Sequence, residues 1–446
     1  MKEALFIVYR ILLWITVFYV LYHAVLCFVG VFFRKQNYKI AADKESFCIF
    51  VLFRNEGKAV GATVENLSRL NYHPALYDVF FIDDNSTDNT AKEIKKAIVR
   101  YNCQNFYVLE RNASDSDKKK EFHAVRWAIS QLEICDGFYS RYDFMMILNA
   151  DDFTDENILL HINSQFLSYK ENKRPAAIQA RLYCKNKHGI VAKGNFNGHK
   201  VTNGFWQLPR HKLGLVPTIE ETGYAVTTGF LKETGGFGFT SNTEAFEMQT
   251  VATIKNKKIA YNDNAGVYIE SPAKVKQTVK QKIRRVQGRR QLFFRFIPVL
   301  LLRLFNPKTI KGIFRKIDMI ICLTARLFVS CGVISLCMGL YFSIAEPYKT
   351  ALPQVAFYIN TALVALSAAM LFIAFLCGGG KEEKKNVPSE FISGLIALCF
   401  IFIIDIIAAL CGLFKRRDKK HGKTLIKTER AKNKIKGNYC NEETTR

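Results

Sequence analysis

The sequence predicts an α/β domain built on a mostly parallel sheet, set among transmembrane and interfacial α-helices. Three observations carry that prediction. Apolar residues make up 49% of the 446 residues and are clumped rather than spread. Between the clumps, short apolar strands alternate with amphipathic stretches, the pattern of a parallel sheet. Lys and Arg number 64 against 39 Asp and Glu, a formal net charge of +25, and much of that charge lies beside apolar runs. Such a pattern points to an anionic lipid bilayer as the partner and argues against nucleic acid.

The chain opens on an apolar run, Ala4–Phe33, interrupted by Arg10 and His23. It exceeds the roughly 20 residues that a bilayer crossing requires. It is too long for a signal peptide and has no evident small-residue cleavage site. Arg34 and Lys35 follow at once, which sets this end of a transmembrane helix over 1–34 on the cytoplasmic side. From about Ser46 the strands are expected at Phe47–Phe53, Tyr77–Ile82, Phe106–Leu109, Phe144–Leu148 and Ala176–Leu182. Helices are expected at Ala59–Leu70, Thr90–Arg100, Glu121–Leu132, Glu156–Tyr169 and Glu244–Lys255. Together these define one large α/β domain over 35–271.

Ser271–Lys316 holds 14 Lys and Arg and no acid. Ser271 followed by Pro272 is a helix start, and 272–316 reads as basic amphipathic helices. Its later piece, Leu292–Phe305, is apolar but carries Arg295 and Arg303 and is short for a span, so it is expected to lie on the membrane surface. Ile317–Ile344, Leu352–Leu376 and Phe391–Phe414 are long enough to cross, which places membrane helices over 317–414. Glu346-Pro347 and Lys381–Asn386 separate them. The tail, 415–446, carries 12 Lys and Arg against 4 acids. Three complete crossings would carry this basic tail outside, against the positive-inside rule. Asp405, in the middle of the last run, therefore suggests a re-entrant or broken last segment, the alternative being that Leu292–Phe305 also crosses. The few spans and the large soluble block argue against a channel or transporter. Of the 12 cysteines, Cys27, Cys322, Cys331, Cys337, Cys377, Cys399 and Cys411 lie in apolar runs and no Cys-x-x-Cys occurs. They read as small buried hydrophobes, with the soluble part facing a reducing compartment.

Three motifs end strands, where ligands bind in open parallel sheets. VLFRNEG brings Arg54, Asn55 and Glu56; FFIDDNSTDNT brings Asp83 and Asp84; MMILNADDF brings Asn149, Asp151 and Asp152. Asp83 and Asp84 can accept hydrogen bonds from a nucleobase and ribose, although Asp84, Asn85 and Ser86 also suit a turn or a helix cap. Carboxylates at the tip of a hydrophobic strand suit a hard divalent cation, Mg²⁺ or Mn²⁺, whose octahedron is completed by substrate phosphates. Such a cation would stabilise a diphosphate leaving group. Capping of the following helix is the alternative. His123, His161, His188 and His199 lack metal-ligand spacing. Phe205 and Trp206 suit either sugar stacking or packing. Lys118–Lys120 reads as a solvated loop and Gly378–Gly380 as a turn.

On these motifs, residues 45–292 resemble family 2 glycosyltransferases with their nucleotide-sugar-binding GT-A fold. The layout more weakly resembles the membrane-bound processive polysaccharide synthases. The resemblance implies that Asp84 holds the nucleotide and that Asn149-Ala150-Asp151 matches the Asp-x-Asp metal motif. TTGF (Thr227–Phe230) and GGF (Gly235–Phe237) resemble the family's acceptor-side segment. SNTEAFE (Ser241–Glu247) falls where a Thr-Glu-Asp base motif belongs, and QKIRR (Gln281–Arg285) on the Gln-x-x-Arg-Trp motif. The departures are Asn149 for an Asp, Ala245 for the catalytic Asp, Arg285 for the Trp, and a blurred Lys-Gly-x-Ala-Leu stretch at Lys120–Ala124. An inverting transfer needs a base, which Ala245 cannot supply. The resemblance then implies either an active membrane glycosyltransferase using Glu244 or Glu247 as base, with Gln281 and Arg284 near diphosphate and acceptor, or a pseudo-glycosyltransferase that binds a nucleotide sugar or a partner synthase. The expected donor is a UDP-sugar, the acceptor a glycan or a lipid-linked one, and the site the cytoplasmic face of the plasma membrane. The few spans also suggest other synthase subunits or self-association.

Overall fold

The structure is a computed structural model and describes residues 2–32, 38–111, 121–241, 243–305, 310–345, 351–377 and 387–414. Lys118–Lys120, Gly378–Gly380, the two linkers between the last membrane runs and the basic tail lie outside these residues. In chain order, α1 (Lys2–Phe32) precedes β1 (Phe47–Phe53), α2 (Val60–Ser68), β2 (Tyr77–Asp84), α3 (Thr90–Tyr101) and β3 (Phe106–Arg111). Then come α4 (Glu121–Asp136), α5 (Phe138–Arg141), β4 (Phe144–Asn149), the short β5 (Phe153–Thr154) and α6 (Ile158–Leu167). They are followed by β6 (Ala177–Cys184), α7 (Ile190–Thr202), α8 (Leu208–Leu213), β7 (Tyr224–Thr227), α9 (Thr228–Glu233), α10 (Glu244–Ile254) and β8 (Ile259–Ile269). Long helices complete the chain: α11 (Val275–Leu304), α12 (Ile310–Ala345), α13 (Ala351–Cys377) and α14 (Val387–Phe414).

The chain divides into two compact units. Among the described residues, a sheet unit comprises Lys39–Glu171 and Thr222–Phe239, and a helix unit comprises the rest up to Phe414. The segment 35–271, expected as one domain, is thus shared between them. The reason lies in packing: α7 and α10, which the sequence places in that domain, bury their faces on α14 and on α11 and α12 respectively.

In the sheet unit the strand order is β3-β2-β1-β4-β7. The first four are parallel and β7 is antiparallel to β4. β1 reads FCIFVLF and is buried along almost its whole length. A run without polar alternation suits a central parallel strand covered on both faces. Phe47 stacks on Phe144 across the β1–β4 ladder, centroids 5.1 Å apart. α2 buries Val60, Val64 and Leu67, and α3 buries Ile94 and Ala97. Because four strands share one direction, their carboxyl ends open on one edge of the sheet.

In the helix unit, β6 and β8 pair in parallel with a register shift at Ala180/Arg181. α1 packs with α12 and α13 through Tyr9, Leu13, Val20, Phe342, Ala356 and Leu363. The Asn360 amide donates to Tyr9 Oη at 2.8 Å, a polar tie of the kind that joins apolar helices. α7 lies so close to α14 that a Cβ on Gly194 would fall 2.4 Å from the Ala397 carbonyl. Arg210 is fully buried; its Nε donates to Asp318 at 3.0 Å, and Asp318 also accepts from Tyr22 and from the Val216 amide. Trp206 stacks on the Arg210 guanidinium, 3.4 Å from the ring centroid, and donates to Thr218. Packing, not sugar stacking, accounts for Trp206.

Three helices among the described residues are long and apolar enough to cross a membrane: Glu3–Phe32, Gln354–Leu376 and Ile392–Gly412. Ile317–Ile344 lies within α12, whose described apolar stretch is Cys331–Ile344. Asp405 does not break the last segment, since α14 is continuous. Its carboxylate pairs with Lys282 on α11 at 2.7 Å, which offsets the cost of a carboxylate in that segment. Leu292–Phe305 is not a separate piece either: α11 is one helix from Val275 to Leu304 with Pro298 inside it. It begins three residues after Pro272, and Lys311–Lys316 belong instead to α12.

Candidate active site

The residues that end β1, β2 and β4 lie at matched heights in the sheet unit. Phe53 is in register with Asp83, and Leu52 with Asn149. β2 and β4 flank β1, so their tips are about 10 Å apart at the usual strand spacing. Asp84 pairs in register with Arg111 on β3 and accepts from its Nη1 at 2.6 Å, both side chains being buried. Arg54, more exposed, reaches the other Asp84 oxygen at 3.8 Å. Asp83 accepts from the Ser86 amide at 3.3 Å and from its hydroxyl. Burial outweighs those bonds and pushes its carboxyl above the ordinary value.

The β1–α2 and β2–α3 loops are laced together. Asn55 Oδ1 accepts from the Thr87 amide at 2.7 Å, the Asn55 amide donates to Ser86 Oγ at 2.9 Å, and the Glu56 amide donates to Thr90 Oγ1 at 3.1 Å. Asn55 and Asn85 both adopt left-handed backbone, φ 55° and 59°. Asn tolerates that region better than most residues, and its occurrence at paired loop tips marks a constrained site. The Thr90 hydroxyl, aided by backbone amides, holds the exposed Asp88 carboxyl below its ordinary value.

At the β4 tip the three candidate metal ligands differ. Asp152 is 1% exposed; it accepts from the Asn149 amide at 2.8 Å and from Thr222 Oγ1. It braces the turn. Asp151 and the Asn149 side chain are partly exposed, and both carry oxygens of the kind a hard cation takes. Among the described residues no group of three or more His, Cys, Asp or Glu is arranged to hold an ion unaided. Two oxygen donors fit Mg²⁺ or Mn²⁺ when diphosphate and water supply the other ligands.

In the helix unit, Ala245 and Glu247 are buried in the first turns of α10. Glu247 accepts from the Thr240 and Ser241 amides at 2.9 and 2.7 Å and from Arg295 at 2.6 Å. Six residues before Arg295 on the same helix, Arg289 covers the Phe246 ring at 4.6 Å. Glu244 is partly exposed at the start of α10. The Thr243 hydroxyl is buried without a hydrogen-bond partner among the described residues. Gln281 is partly exposed and Arg284 exposed on α11. Arg285 pairs with Glu221 at 3.5 Å. Burial alone would raise the Glu221 carboxyl, but Arg285, Arg284 and Arg289 bring it below its ordinary value. Burial, with Arg285 and Lys282 adding, pushes His199 down to about 4, as expected of a packing residue. Arg111 and Glu221 were not among the sequence candidates. Alternating strands hinted at the first, since β2–β3 register places it opposite Asp84; nothing local flagged the second.

A parallel sheet that gathers carboxylates at adjacent strand tips defines an α/β protein with a ligand-binding edge. The family model described as glycosyltransferase-like family 2 matches residues 45–288, and the chain belongs to that family. It is 25% identical over 221 residues to a beta-monoglucosyldiacylglycerol synthase of Nostoc sp. strain PCC 7120, covering 49% of this chain and 44% of the relative. The enzyme of the same name from Trichormus variabilis is 24% identical over the same shares. The chain thus spans less than half the length of these curated relatives. A mannosyltransferase from Pyrobaculum calidifontis, solved with GDP-mannose and Mn²⁺, shares the fold: TM-score 0.56, 14% identity, 91% of this chain and 100% of that one.

Proposed function

We propose that this chain is a membrane-integrated, inverting glycosyltransferase that takes a sugar from a nucleotide-sugar, UDP-linked by preference, to a lipid or lipid-linked acceptor at the cytoplasmic face of the membrane. The observation that carries the reading is the sheet edge: Asp84 fixed by Arg111 on β2, and Asp151 partly exposed at the tip of β4. In this reading Asp84 accepts from the nucleoside, with Arg54, Asn55, Glu56 and Asp83 shaping its pocket. Asp151 and Asn149 would hold Mg²⁺ or Mn²⁺, which neutralises the departing diphosphate when bound. Arg284 and Gln281 stand for diphosphate and acceptor. A lipid acceptor is favoured over a growing glycan by the glycolipid synthase names of the relatives and by Arg285, tied to Glu221, in place of the motif Trp.

Glu244 is the better base of the two candidates. Glu247 is 2% exposed while Glu244 is partly exposed, and a base must be able to reach the acceptor hydroxyl. The buried Ala245 favours a second reading, donor binding without turnover. One experiment separates the two. Purified full chain in detergent is given UDP-glucose, UDP-N-acetylglucosamine or GDP-mannose with Mn²⁺ and diacylglycerol, and nucleoside diphosphate and glycolipid are measured. Product formed by the wild-type chain and lost in Glu244→Gln supports the enzyme. Binding without product, with product appearing in Ala245→Asp, supports the second reading, and no donor binding rejects both.

A further inference from the structure

Away from the candidate site, the helix unit has a pocket of about 240 Å³ lined by Leu213, Gly214, Leu215, Lys311 and Phe314. Leu213 and Phe314 are 45% and 58% exposed, and Ile310 and Ile317 on the same stretch of α12 are also exposed. Around this apolar floor the charge is of one sign. Arg315 Nε donates to the Gly214 carbonyl at 2.9 Å, at the wall of the pocket. Lys316 reaches Asn256 at 2.9 Å, two residues from Lys258. Burial above all, with Arg315 and Lys311 adding, pushes the Lys258 ammonium down to about 8. The nearby acids are committed: Asp318 to Arg210, and Asp263 to Arg181 at 2.6 Å.

The height of the pocket follows from the helices. Tyr9 lies against Gly339 and Thr16 against Gly332, Tyr19 stacks on Phe328, and Tyr22 donates to Asp318. α1 and α12 are therefore antiparallel, and the first turn of α12 falls near the level where α1 ends. In the sequence Arg34 and Lys35 come directly after that end. Cations over exposed apolar side chains at the end of a spanning helix are the pattern of a lipid headgroup region.

We propose that this pocket binds the phosphate headgroup of an anionic phospholipid, with Lys311 and Arg315 at the phosphate and an acyl chain against Leu213, Leu215 and Phe314. A soluble phosphate would use the same cations but gain nothing from the apolar floor. The proposal rests on the membrane reading above but not on the transfer reaction.

The test uses purified full chain in detergent, titrated with phosphatidylglycerol or phosphatidylcholine and read by native mass spectrometry. Wild-type protein is expected to retain phosphatidylglycerol at least about tenfold better than phosphatidylcholine. Lys311→Glu is expected to lose most of that preference and Lys311→Arg to keep it, each with an unchanged melting temperature. Millimolar inorganic phosphate should not displace the lipid. Equal retention of both lipids by wild type, or an undiminished preference in a folded Lys311→Glu/Arg315→Glu double variant, overturns the proposal. Displacement by inorganic phosphate overturns it in favour of a soluble anion site. Flotation with phosphatidylcholine vesicles reads the membrane reading separately: floating without headgroup preference defeats the pocket alone, and failure to float defeats both.

Discussion

In the sheet unit, one buried arginine fixes Asp84 while Asp151 stands partly exposed at the next strand tip but one. In the helix unit, Glu247 and Glu221 are each met by an arginine of α11, and Ala245 is buried beside the partly exposed Glu244 without a charge. The first arrangement presents a carboxylate at a strand tip that is partly exposed. The second uses Glu247 to hold α11 against the start of α10 and Glu221 to hold it against the segment before β7. The difference teaches that acids at the tips of a parallel sheet can stay partly open while acids beside a basic helix are taken up by its arginines.

The largest expected effect breaks the sheet side. Arg111→Ala leaves Asp84 buried with its main partner gone, which costs about 3–5 kcal/mol. A shift of the denaturant midpoint measures it; a change within about 0.5 kcal/mol would mean that Asp84 does not depend on Arg111. Next, Asp151→Ala is expected to lower nucleoside diphosphate release roughly 100-fold, if metal stabilisation of the leaving group is worth several kcal/mol, with little change in melting temperature because Asp151 is partly exposed. Asp152→Ala should do the reverse in stability, since that carboxylate is buried and braces Asn149 and Thr222.

A smaller effect sharpens the helix side. A Cβ on Gly288 would fall 2.7 Å from the Thr243 side chain, so Gly288→Ala should cost about 1–3 kcal/mol through overpacking. It should disturb the start of α10 while donor binding persists. A pH effect, smaller per pH unit, completes the series. His199 is held at about 4 in the fold, against roughly 6.5 unfolded. Between those values the unfolded chain binds the extra proton, so stability falls as pH drops through that window, by at most about 1.4 kcal/mol per unit. His199→Gln should flatten the melting-temperature profile there. Glu221, whose folded value is depressed, adds a loss at lower pH still, as pH falls through its folded value.

Much of the sheet could be read from one sequence because its code is local. FCIFVLF becomes β1 with no change of limits, and an apolar run between polar turns needs no distant information. Strands grew at their polar ends, β2 to Asp84 and β3 to Arg111, because ladder partners hold residues that propensity alone would leave in loops. Helix Glu156–Tyr169 shrank to Ile158–Leu167. β7, β8, α7 and α8 were not foreseen: β7 is short, β8 carries Asn and Gly, and α7 carries Gly194, whose use is close approach to α14 rather than propensity. The strand-tip acids were legible as motif residues. What each does was not, because Asp152 and Asp151 differ only in burial, and Glu247 is tied down by an arginine 48 positions away.

The most direct test is a structure of the full chain with UDP and Mn²⁺, the metal located by its anomalous scattering. The account predicts manganese within ligand distance of Asp151, with the nucleoside against Asp84. Manganese on Glu244 or Glu247, or a nucleotide bound away from the tips of β1, β2 and β4, would contradict it.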